Sequence, residues 1–167
     1  MTMFRNLPAE NVSLDLVTKG KHSALSKIAA KIARRTALDP RMVLRGIWQR
    51  ERLGSTTIGR GIAVPHAFVQ PISSPVTWFT RLAPPINFKS PDLDPVDLVF
   101  TILWPRSEVH TFLPALSQLF RLVRVPLFRE ELRLARSPDE VIAILQGEAW
   151  ANNQIPPTAA APRVAVN

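Results

Sequence analysis

Cysteine is absent from the 167-residue chain. That excludes disulfides, thiolate catalysis, zinc–thiolate sites and cysteine-ligated clusters. Histidine is sparse, and His22, His66 and His110 lie far apart, which argues against a His-rich metal site. Long apolar runs are also missing. The best, at 98–104, is interrupted by Thr101 and has the length of a strand, not of a membrane span. The opening MTMFRNLPAENVSL holds no continuous apolar segment, so no secretory signal is expected and the expected compartment is the cytoplasm. The chain has neither a Walker A loop nor an acidic metal cluster, so direct use of ATP has no site. No internal repeat is visible.

What is there suits one soluble domain. The chain is 46% hydrophobic and 20% charged, which is enough to bury a core without staples. Prolines number 16, about twice the ordinary share. The net charge is +8 and one-sided. Residues 1–60 hold twelve Lys/Arg against four Asp/Glu, and residues 61–167 hold nine of each. Such a field attracts anions: nucleic acid, anionic lipid, a phosphorylated partner or an acidic protein surface. No aromatic interleaving or nucleic-acid motif accompanies the charges, which disfavours nucleic acid.

Periodicity places the first helix at 21–36, with Leu25, Ile28, Ala29, Ile32 and Ala33 on one face. A second opens at Asp39-Pro40, a cap followed by a residue preset for the first helical position, and ends near Gly54. GSTTIGRGIAVPH cannot be a regular helix. Residues 62–64 read as a short strand ending at Pro65, and 76–82 as another. A proline-rich loop then holds Pro84, Pro85, Pro91 and Pro95. VDLVFTILW at 96–104 reads as a central strand covered on both faces. Helices follow at 111–123, at 127–136 and after the Ser137-Pro138-Asp139-Glu140 capping box. The expected organisation is an arm at 1–13, a domain at 14–147 and a loose tail at 148–167. Helices before, among and after strands predict an α/β or α+β domain with helices on both faces of a sheet.

His66 is the residue best placed for chemistry. Pro65 stiffens the chain before it, and strand ends are where α/β proteins keep their sites. Upstream, Ser55, Thr56 and Thr57 lie in a Gly-rich segment whose N–H and O–H groups suit an anion. Arg50, at the end of the second helix, adds a guanidinium. These parts suit attack by a neutral imidazole on a phosphoryl group, a reaction governed by alignment and charge stabilisation. Each signal alone also fits a bland reading: a packed histidine, an ordinary loop, an arginine serving a helix end.

RERLGST at 50–56, IG at 58–59 and GIAVPH at 61–66 together resemble the signature of PTS IIA components of the fructose/mannitol type. Within that group the likeness is greatest to the nitrogen-regulatory IIA-Ntr branch, and it extends over about residues 14–145. The resemblance implies a single α/β domain with a mixed central sheet flanked by helices on both faces. It implies that His66 accepts a phosphoryl group from a phosphorylated HPr- or NPr-like carrier protein, making the chain a phosphohistidine carrier rather than a stand-alone ATP-dependent enzyme. It further implies that Arg50 stabilises the phosphate and that Ser55 and Thr56 belong to the phosphate-side loop. No cofactor and no metal are implied. Members of this branch regulate by docking to other proteins according to phosphorylation state. A homodimer stays open, as do two alternatives: a sugar-transport IIA passing phosphate to a IIB domain, and a transfer-impaired binding module of the same fold.

Two positions depart from the pattern. The family usually carries a second histidine where Phe112 stands, and Thr57 stands where glycine is commoner. His110 lies two residues before Phe112, about 200° away on a helix, so it substitutes only if the segment is not yet helical.

Overall fold

A computed structural model describes residues 2–147. Helix α1 (Lys21–Thr36) and helix α2 (Pro40–Arg52) form where periodicity puts them. The Asp39 side chain accepts the Arg41 N–H at 2.8 Å and so caps α2. The remaining helices are α3 (Val109–Val123), α4 (Pro126–Leu134) and α5 (Pro138–Gln146). Ser137 Oγ caps α5 by accepting the Glu140 N–H at 3.2 Å.

The sheet has six strands: β1 (Val12–Leu16), β2 (Thr57–Gly59), β3 (Ile62–Ala63), β4 (His66–Val69), β5 (Val76–Ile86) and β6 (Val96–Pro105). Its order is β1-β5-β6-β3-β2, with β4 also on β6. β5 runs antiparallel to β6, while β1 is parallel to β5 and β3 and β4 are parallel to β6, so the sheet is mixed. β6 is the central strand, and its side chains alternate between two cores. Leu98, Phe100, Ile102 and Trp104 meet α3, α4 and α5, whereas Val99 and Leu103 meet α1 and α2. Helices therefore cover both faces, as expected.

Several expectations need correction. The strand expected to stop at Pro65 resumes directly after it. Ile62 pairs with Leu98 and His66 with Ile102, the same offset, so β3 and β4 are one strand interrupted at Val64-Pro65. Proline lacks the N–H for the ladder, but its carbonyl still accepts from Ile102 N at 2.9 Å. Pro84 and Pro85, expected in a loop, lie within β5, on an exposed stretch where pairing with β6 skips from Arg81 to Ile86. The boundary expected at residue 14 falls inside β1. Phe4, Leu7 and Val12 are buried in the α3–α5 core, so this stretch packs against the domain. The tail expected at 148–167 lies outside the described residues.

Candidate functional site

The break between β3 and β4 sets His66 beside the last turn of α2. Gly46 explains the closeness: a Cβ there would stand 3.1 Å from the Ala67 Cβ. With no side chain at 46, α2 lies directly on β4. Arg50 is one turn further along the same helix face. Its Nε donates to His66 Nε2 at 3.0 Å, and its Nη1 donates to the Gly54 carbonyl at 3.1 Å.

These partners assign the imidazole tautomer. A guanidinium only donates, so Nε2 accepts and carries a lone pair. The other nitrogen, Nδ1, lies 2.9 Å from the Val64 carbonyl, which only accepts, so Nδ1 bears the proton. Burial of the ring pushes its pKa below the usual histidine value of 6.5. The Arg50 charge pushes the same way, against the Val64 carbonyl and the Glu51 carboxylate. His66 is thus a half-buried neutral base whose Nε2 lone pair accepts from a fixed cation.

Arg50 comes together with His66 as expected, but the two hydroxyl residues are turned elsewhere. Thr56 is buried, and both its N–H (3.0 Å) and its hydroxyl donate to Glu51 Oε2. Ser55 Oγ lies 3.4 Å from Glu51 Oε1 and 3.0 Å from Thr57 Oγ1. Glu51, only 5% exposed, also pairs with Lys21 Nζ at 2.8 Å. Reading the sequence missed Glu51, since its partner Lys21 lies on another helix. It missed Gly46 as well, although a glycine inside a helical pattern is a usable signal of close packing.

The opposite side of His66 is aromatic. The Phe112 ring centroid is 5.0 Å from that of His66, 5.1 Å from Phe68 and 5.4 Å from Trp104. His110 does not take part. Helix α3 is already formed at Val109, so His110 points away from Phe112 into an exposed cleft of about 880 Å3, alongside Met3, Trp104 and Gln118. His22 packs edge-on to Trp48, with ring centroids 4.9 Å apart. Among the described residues no three His, Asp or Glu side chains gather as metal ligands do.

The sequence profile described as "Phosphoenolpyruvate-dependent sugar phosphotransferase system, EIIA 2" matches residues 5–148. The chain belongs to this EIIA family. It is 37% identical to a nitrogen regulatory protein of Bradyrhizobium diazoefficiens over 130 residues, 78% of this chain and 85% of that one. The crystal structure of nitrogen regulatory protein IIA-Ntr from Neisseria meningitidis superposes with a TM-score of 0.79. That pair shares 31% identity and covers 83% of this chain and 94% of the other. The IIA component in the complex of enzyme IIAMTL and phosphorylated enzyme IIBMTL from Escherichia coli gives a TM-score of 0.72 at 25% identity, covering 85% and 98%. Seen as an EIIA domain, the chain combines a histidine held by an arginine on one side with a phenylalanine ring on the other.

Proposed function

We propose that this EIIA domain is a regulatory phosphoryl carrier of the nitrogen-related kind, with Nε2 of His66 as the acceptor atom. One observation supports the reading above the rest: Nε2 carries no proton and its lone pair accepts from Arg50, while Nδ1–H is held by the Val64 carbonyl.

Transfer then needs no added base. The donor is a protonated phosphohistidine on an HPr- or NPr-like carrier protein. The His66 Nε2 lone pair forms the new N–P bond. The donor N–P bond breaks, and its electron pair leaves with a neutral imidazole. His66 keeps its Nδ1 proton, so its ring gains the positive charge the donor ring loses. The Val64 carbonyl favours that charge. Arg50 gives up its bond to Nε2 and turns to the phosphoryl oxygens, where a preformed donor has the most effect. The phosphoryl group carries about −2 of charge and the ring about +1, so transfer adds about −1 at the end of the basic half and changes which partner docks. The reading fits a protein working inside the cytoplasm, and among the described residues no helix is long and apolar enough to cross a membrane.

The test is incubation with a phosphorylated carrier. Wild type should gain one acid-labile phosphate and His66→Ala none; no label on wild type would defeat the carrier reading. Phe112 favours a second reading, a binding module that transfers slowly because one wall of the site offers no donor. A partner that binds wild type and His66→Ala alike, and ignores phosphorylation, would favour it. A transport role predicts instead onward transfer to a IIB domain.

A further inference from the structure

The geometry points to Glu51 as the positioning residue that keeps His66 in its accepting tautomer, an inference that rests on the carrier reading. A carboxylate this buried requires partners. Oε1 takes Lys21 Nζ and the Ser55 hydroxyl, and Oε2 takes the Thr56 amide and hydroxyl. The pinned residue then passes the constraint on. The Thr56 carbonyl accepts from Val64 N at 2.9 Å, and the Val64 carbonyl accepts from His66 Nδ1 at 2.9 Å. Glu51 is therefore joined to the ring through the backbone of two residues, Thr56 and Val64.

The Val64 carbonyl decides which nitrogen keeps the proton. If Thr56 is released, the Val64 peptide can turn and Nδ1–H loses its acceptor. The alternative tautomer carries its proton on Nε2, facing the Arg50 N–H, donor against donor, and the lone pair then lies on the wrong nitrogen. Glu51 also acts through its charge, which favours the cationic ring. That is the state reached when the Nε2–P bond forms. Lys21 joins this arrangement to the start of α1 and balances the buried carboxylate.

A mere staple at the end of α2 would hold the loop without affecting the ring, so the variants separate the two. Glu51→Ala removes both effects, Glu51→Gln removes the charge and keeps the shape, and Thr56→Val removes the hydroxyl but keeps the amide. Two readouts apply: the rate of phosphate uptake from the carrier, and the His66 nitrogen shifts by NMR. The shifts report tautomer and titration midpoint.

Wild type should show Nδ1–H alone. Glu51→Ala should show mixed tautomers and uptake at least tenfold slower. Glu51→Gln should keep the tautomer, titrate at lower pH and transfer a few-fold slower. Thr56→Val should fall between these, with Thr56→Ser restoring wild-type values. A folded Glu51→Ala with wild-type tautomer and rate would overturn the inference. Should that variant not fold, wild-type behaviour of both Glu51→Gln and Thr56→Val would overturn it equally. If wild type takes no phosphate at all, the carrier reading fails, while the NMR readout still decides what Glu51 does to the ring.

Discussion

His66 lies between two unlike walls. On one, α2 and the loop after it form a chain of hydrogen bonds from Lys21 through Glu51, Thr56 and Val64 to the ring, with Arg50 closing it from the other nitrogen. On the other, Phe112, Phe68 and Trp104 offer ring faces and edges only. The polar wall determines which nitrogen is free and where the cation stands. The aromatic wall removes water and donates nothing to the ring. A neutral, oriented imidazole needs both: direction from one and burial from the other.

Breaking the polar wall should cost most. Arg50→Ala removes the guanidinium that donates to His66, and phosphate uptake from the carrier should fall by about 100-fold. Arg50→Lys should recover only part of that, because one point charge cannot serve two acceptors as the fork does. Uptake within threefold of wild type in Arg50→Ala would mean that the polar wall is not the reacting one.

A smaller break comes from behind that wall. Gly46→Ala places a methyl group 3.1 Å from the Ala67 Cβ, so α2 and β4 must part by a few tenths of an ångström one turn from Arg50. A loss of about 1–3 kcal/mol in stability is expected, seen as a lower midpoint in urea. Transfer should slow as well if the parting reaches the Arg50–His66 contact, which a rate measurement on the same variant reads.

Phe112→His makes the walls alike by adding a ring nitrogen beside His66. Uptake should rise a few-fold, at some loss of stability for a polar group in a buried place. An unchanged rate would mean that the aromatic wall never limited transfer.

The smallest effect is a titration. Because its pKa lies below 6.5, His66 is mostly neutral at pH 6.5, and uptake should decline as pH falls from there toward the native midpoint. In the unfolded chain the same residue protonates near its ordinary value. Its contribution to stability is therefore intact above pH 6.5 and is lost as pH falls below it toward the native midpoint. Burial is the larger cause of the shift, so Phe112→Ala should raise the NMR midpoint more than Arg50→Ala does. The reverse order would assign the depression to Arg50.

Much of the frame was readable in advance, for local reasons. α1, α2, α3 and α5 declare themselves by apolar spacing, Asp39 and Ser137 by capping chemistry, and β6 by an apolar run covered on both sides. β1 escaped notice because five residues of modest alternation gain their meaning only from β5, more than sixty residues away. β4 was hidden by Pro65, which looks like an end and is only a gap in the ladder. In the site, Arg50 and His66 were legible as a pair through the resemblance. The turning of Thr56 toward Glu51 was not, because a hydroxyl's direction depends on which acceptor the fold brings near.

From the order of residues alone came the helices, the central strand, the exclusion of thiol chemistry, and the family. These follow from spacing, from missing residue types and from one short motif. Tertiary structure alone decided which imidazole nitrogen is unprotonated, that Glu51 stands behind the ring, and that His110 faces away while Phe112 packs on it. Such matters depend on distances of about 3 Å between segments far apart in the chain, and only packing sets those.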